Sequence, residues 1–183
     1  LIIIATFTQL DFSHYVFGSL NPADDAFLQI KRCVYIPQIP VIFFIAALIG
    51  KRFGITTVLI YIILGLTCFP IFALGGGISY IFEYNFGYIL AYIPAVCIVS
   101  FILKDKVNYW TAAEASFIGI LTIHVIGVFY MILMAIIHQD SFSHVTNWIV
   151  MQSGLKIIYD FIFGYLAILF SKPIKQVLWL SMG

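Results

Sequence analysis

The chain has 183 residues, of which 63% are hydrophobic and 9% charged, and 9 basic against 8 acidic side chains leave a formal charge of +1. Its mean hydropathy is +1.09. Soluble domains carry roughly 25% charged residues, so this chain cannot cover a water-facing surface and reads as an all-α integral membrane protein. The small net charge is silent on nucleic acid, and none is expected as a partner.

A helical span takes about 20 mostly apolar residues. By that measure residues 1–183 form one membrane domain with the runs 1–10 (partial), 34–50, 54–74, 86–103, 110–137 and 150–171. The opening LIIIATFTQL is half a span, so the first helix is expected to be truncated. A cleaved signal peptide is disfavoured, because the apolar segment itself is still present. A polar loop with Asp11, Asp24, Asp25, Lys31 and Arg32 leads to the second run, where Gln38 stands between Pro37 and Pro40. A kinked helix end frees backbone groups, and a side-chain amide there can both donate and accept.

Lys51 and Arg52 divide the second run from the third. The stretch FALGGGISYIFEYNFGYILAY, residues 72–92, then sets Gly75, Gly76 and Gly77 and a rare acid, Glu83, in a loop over 75–85. Irregular backbone at membrane depth survives only inside protein or beside a wet cavity, and glycine lets a neighbour approach the main chain closely. An exposed turn is the plain alternative. Lys104 and Lys106 follow the fourth run. In the fifth, Glu114 is read as a solvated acid favoured by the helix N-terminus, and His124 as a hydrogen-bonded interhelical residue. His138, Asp140 and His144 lie close in sequence in HQDSFSH, but a metal would want a further convergent ligand, so no metal is expected. Cys33, Cys68 and Cys97 are scattered singly and read as small apolar residues.

The sixth run, SGLKIIYDFIFGYLAILF, carries Lys156 and Asp160 on one helical face, with Gly164 a turn further. Ionisable groups in a span are costly and by default face the bundle interior or a water pathway. Three roles stay open for the pair: mutual neutralisation near the interface, binding a polar ligand, or relaying protons. With six spans, the cations at 51–52, 104–106 and 172–175 fall on one side. The positive-inside tendency makes that side cytoplasmic, with both termini on it, and turns the glycine loop and the Lys156–Asp160 pair outward.

Residues 36–95 carry a specific series: Gln38, Gly50 and Gly54 around the basic pair, Tyr61, Gly65, Pro70-x-Phe72, Gly75 to Gly77, Tyr80, and Gly87-Tyr88. In order and spacing this resembles the BioY family, the biotin-specific S-components of energy-coupling factor (ECF) vitamin transporters, over about a third of the chain. Departures are Tyr84-Asn85 where the family usually has Pro-Thr, and Lys156 preceding Asp160 where many members place an acid three residues before a lysine. The resemblance implies a six-helix S-component bundle in the bacterial cell membrane. It would capture biotin from outside and deliver it through a membrane scaffold subunit and two cytoplasmic ATPases. The chain shows no G-x-x-x-x-G-K-[ST] phosphate loop of its own, so it is expected not to be an enzyme, and no cofactor is expected.

Biotin has a ureido group, an apolar fused ring and a carboxylate. Asp160 or Asn85 could accept from the ureido N–H groups, Lys156 could meet the carboxylate or the ureido oxygen, and Tyr80, Tyr88 and Tyr159 could cover the ring, in the pattern of an apolar pocket with few polar groups. Gln38, Gly76 and Gly77 complete the expected contact set, with Gly75 and Glu83 shaping or gating the loop. An S-component for another vitamin and a proton-coupled carrier remain alternatives; an intramembrane enzyme lacks the motifs it would need.

Overall fold

The computed structural model describes residues 1–17, 28–73, 75–104 and 107–182, with the side chains of 14–17, 28–33 and 179–182 left outside the description. Asp24, Asp25 and Lys106 therefore fall outside the described residues, as do the side chains of Lys31 and Arg32. In order come α1 (Ile2–Phe7), β1 (Leu10–Phe17), β2 (Leu28–Tyr35), α2 (Gln38–Thr67), a 3-10 turn (Ile78–Phe82), α3 (Phe86–Leu90), α4 (Tyr92–Ile102), α5 (Tyr109–His138), α6 (Phe142–Ser153) and α7 (Lys156–Met182). The stretches Gln38–Thr67, Tyr109–His138 and Phe142–Leu178 are long and apolar enough to cross a membrane, while Phe86–Ile102 is shorter.

α2 is not straight. Gly50 sits at φ 75°, ψ −176°, a conformation open to glycine and strained for other residues. The chain reverses there, because Gln38 Nε2 lies 3.2 Å from the Tyr61 hydroxyl, whereas a straight helix would hold them about 35 Å apart. Residues 38–49 and 51–67 are thus two antiparallel arms; the second begins before the expected 54 and ends short of 74. Lys51 and Arg52 are exposed at the turn. Pro40 and Pro94 fall within the first turns of α2 and α4, where a missing N–H costs little.

Two elements differ from the sequence reading. The loop before the second run contains an antiparallel hairpin, registered from Leu10 opposite Tyr35 to Phe17 opposite Leu28. A two-stranded ribbon is marginal alone. This one packs onto α7, with Phe12 stacked on Tyr159 at 4.9 Å and Tyr35 tilted on Phe163 at 5.4 Å between ring centroids. The second difference is α6, a separate helix capped by the Ser141 hydroxyl, which accepts from the His144 N–H. The expected sixth run accordingly starts later, at Lys156, and continues past Pro173 to Met182.

Lipid offers little hydrophobic drive between helices, so close van der Waals packing through small residues holds such a bundle. The α2 arms, α4, α5 and α7 meet around Phe43, Val58, Val96, Val99, Ile123 and Ile168. Gly119 and Gly164 press against the Phe43 ring, which a Cβ at either position would reach within 3.0 Å. Trp110, Phe117, Phe129 and Phe170 are exposed on the outside of the bundle, as lipid-facing side chains should be.

Candidate functional site

A cavity of about 700 Å³ opens at one end of the bundle. Its walls come from the base of the hairpin (Val34), the starts of α2 (Gln38) and α4 (Tyr92), the segment 73–89, mid-α5 (His124), the last two turns of α6 (Trp148, Gln152) and the first turn of α7 (Lys156, Asp160). The opposite end carries exposed Lys51, Arg52 and Lys104, with Lys172 and Lys175 far along α7. Lys51, Arg52 and Lys104 therefore lie at the end opposite the cavity, whose described lining carries the cation Lys156.

Asp160 is fully buried. A carboxylate removed from water needs hydrogen bonds or a counter-charge. The Tyr35 hydroxyl donates to its Oδ1 at 2.8 Å, and His124 Nε2 lies 3.4 Å from its Oδ2. That second contact is near enough for ion pairing but misses hydrogen-bond geometry, so Asp160 Oδ2 and His124 Nε2 are both buried without a bonded partner among the described residues. Asn85 Oδ1 is a third such atom. The other imidazole nitrogen, Nδ1, is 2.8 Å from Ser153 Oγ, which is itself 2.6 Å from the Tyr88 hydroxyl. Lys156 makes no ion pair with Asp160 among the described residues; its Nζ reaches Gln152 Oε1 at 3.4 Å.

A second polar cluster forms the floor. Gln38 Nε2 donates to Thr6 Oγ1 at 2.6 Å and to the Tyr61 hydroxyl at 3.2 Å, and the Tyr92 hydroxyl donates to Gln38 Oε1 at 2.8 Å. This ties α1, both α2 arms and α4 together.

Of the residues expected from sequence to contact a ligand, Gln38, Tyr80, Asn85, Tyr88, Lys156 and Asp160 line this one cavity. Tyr159 does not; it stacks on Phe12 of the hairpin. Gly76 and Gly77 also lie outside the lining, and the close approach they permit is to a helix. A Cβ on Gly76 would come within 2.7 Å of the Gly65 carbonyl and Pro70 Cα, and the Gly77 N–H bonds that same carbonyl at 2.8 Å. Gly75 and Gly77, at φ 129° and 94°, turn the chain so that Tyr80 enters the cavity wall. Glu83 is exposed, just past the 3-10 turn. His138, Asp140 and His144 are held by protein neighbours. The Tyr84 hydroxyl donates to Asp140, His138 Nδ1 lies 3.8 Å from the same carboxylate, and Trp148 Nε1 donates to His144 Nε2 at 3.1 Å.

Sequence reasoning missed Tyr35, Tyr92, Trp148, Gln152 and Ser153, and it gave His124 only an interhelical role. His124 does bond between helices, to Ser153, yet it also lines the cavity. The available signal was the helical offset: a polar residue deep in an apolar run faces the interior by default.

A family model described as the BioY family matches residues 26–179. A "Probable biotin transporter BioY" of Lysinibacillus sphaericus is 32% identical over 114 residues, covering 59% of this chain and 58% of that protein. A protein of the same description from Pyrococcus horikoshii is 38% identical over 80 residues, covering 43% and 46% respectively. The chain thus spans about half the length of these curated relatives. The crystal structure of the S-component for biotin from an ECF-type ABC transporter superposes with a TM-score of 0.67 over 96% of this chain and 85% of that one. At 18% identity that likeness carries the fold: a multi-pass helical membrane bundle of S-component type.

Proposed function

The chain belongs to the BioY family, and from that premise we propose that it is the biotin-binding component of an ATP-driven vitamin uptake system. Binding rather than catalysis is its activity. Its partners are a membrane scaffold subunit and two cytoplasmic ATPases, and the basic end of the bundle faces the cytoplasm by the positive-inside tendency. The cavity then opens outward, toward the side from which a scarce nutrient arrives.

One observation carries the reading. One apolar cavity holds two buried acceptor oxygens, Asp160 Oδ2 and Asn85 Oδ1, and a cation, Lys156; among the described residues the oxygens have no bonded partner and Lys156 no carboxylate partner. Biotin has the complementary set: two ureido N–H donors, an apolar bicycle and a carboxylate. Buried acceptors left empty cost about 1–3 kcal/mol each, so a ligand that fills them is favoured over one that cannot. Tyr80, Tyr88, Tyr92 and Trp148 supply aromatic cover for the ring system.

The test is thermal unfolding of the purified protein against a panel of vitamins. A ligand at a hundredfold excess over its dissociation constant adds about 2.7 kcal/mol of stability. Biotin is expected to give the largest shift. A larger response to another vitamin, with none to biotin, would make that compound the substrate of this chain.

A further inference from the structure

The carboxyl that carries the open acceptor is itself held by a residue outside the cavity lining. Tyr35, the last residue of β2, is fully buried and is not part of the described lining, although its chain neighbours Val34 and Ile36 are. Successive side chains of an extended segment point to opposite faces, so Tyr35 lies behind the wall that those neighbours form. From there its hydroxyl donates to Asp160 Oδ1 at 2.8 Å. Asp160 Oδ2 has no bonded partner among the described residues.

We infer that Tyr35 is a positioning residue for ligand capture: by taking Oδ1 it fixes the rotation of the Asp160 carboxyl and leaves Oδ2 as the oxygen offered to the ligand. The inference rests on the proposed biotin site and deepens it. The torsion that turns an aspartate carboxyl is broad and roughly two-fold, so burial alone does not set which oxygen faces the cavity. A hydrogen bond from a fixed donor does. Without that donor the carboxyl would have to be ordered at the moment of binding, and such ordering costs affinity.

The donor is fixed because backbone and neighbouring rings leave it little freedom. Tyr35 is paired with Leu10 at the base of the hairpin. Directly after it the chain turns into α2, where the Gln38 N–H bonds the Ile36 carbonyl at 2.8 Å. The Tyr35 ring lies 5.4 Å from Phe163 and 6.1 Å from both Phe12 and Tyr159, between centroids. Phe163 and Tyr159 stand on α7, the helix that carries Asp160, so donor and acceptor are seated against one element. Three rings share the clamp, and losing one leaves two. The hairpin thereby gains a part in the site: it brings a rigid hydroxyl to a carboxyl that α7 alone would leave free to turn.

The experiment is titration calorimetry of biotin on the purified protein and on variants at position 35. Tyr35→Phe keeps the ring and removes the donor, and is expected to weaken biotin about tenfold. With Asp160→Ala already in place, the same change should cost less than about twofold, because the group it positions is gone. A role in packing alone would cost the same in both backgrounds. A second pair separates donor from volume. In place of Tyr35, p-aminophenylalanine should restore most of the affinity, whereas p-fluorophenylalanine, similar in size but without a donor, should not. Biotin affinity unchanged or raised in Tyr35→Phe, an equal loss in the Asp160→Ala background, or equal affinity in the amino and fluoro proteins would each overturn the inference. If Tyr35→Phe does not fold, or Asp160→Ala binds too weakly to measure, the amino and fluoro pair decides. A parent protein that binds biotin while Tyr35→Phe binds it equally well overturns the positioning role alone. A parent that does not bind biotin overturns the biotin reading, and this inference with it.

Discussion

Two polar clusters meet the same cavity and are built on opposite principles. Around Gln38 both amide atoms are occupied by Thr6, Tyr61 and Tyr92, all within the protein. Around Asp160, Tyr35 takes one oxygen while Asp160 Oδ2 and His124 Nε2 find no hydrogen-bond partner among the described residues, nor does Asn85 Oδ1 elsewhere in the wall. A closed network specifies the fold, because breaking it strands buried groups. An open one is incomplete until something enters. The difference teaches that buried polarity in a membrane bundle is not itself a sign of a site; unspent bonding capacity is.

Perturbation should separate the clusters. The largest effect is expected from Asp160→Ala, which removes the open acceptor: biotin affinity should fall by a hundredfold or more, in line with the roughly 2–5 kcal/mol measured when one partner of a buried charged pair is truncated. Its ligand-free unfolding temperature should change less than that of Gln38→Leu, since truncation also relieves a buried carboxylate. Gln38→Leu is next and should act the other way round. It takes the acceptor from the buried Tyr92 hydroxyl and one partner each from Thr6 and Tyr61, which still bond each other at 3.2 Å, so thermal unfolding without ligand should reveal a loss of about 1–3 kcal/mol. A Gln38→Leu protein as stable as the parent but unable to bind would break the comparison.

Gly76→Val should also destabilise the ligand-free protein, through overlap with the Gly65 carbonyl and Pro70, by about 1–3 kcal/mol. Any variant that still folds should keep measurable biotin affinity, because the residue stands behind the cavity wall. Lys156→Met should weaken biotin about tenfold while leaving biotinamide nearly unaffected, which titration calorimetry resolves. Tyr159→Leu should have the smallest effect on biotin binding, under about threefold, since that ring packs on the hairpin; a larger loss would bring the hairpin face into the site.

Membrane character was legible in the sequence, because hydropathy is a sum over local residues that lipid imposes on every span. Six of the cavity-lining residues were legible as well, since rare polar groups in apolar runs mark themselves. The hairpin was readable in the alternation of LDFSHYVF and LQIKRCVY, but the nearby charges argued for a loop, and a ribbon this small acquires its stability from α7. Whether a polar residue belongs to the closed or the open cluster was decided only in three dimensions. Lys156 and Asp160 share a helix face, yet Asp160 turned to Tyr35, 125 residues away in the chain, and to His124 on α5. Gly76, conspicuous in sequence, spent its freedom on the Gly65 carbonyl. Which bonds a polar group spends depends on partners that folding brings in from distant segments, and no local pattern records them.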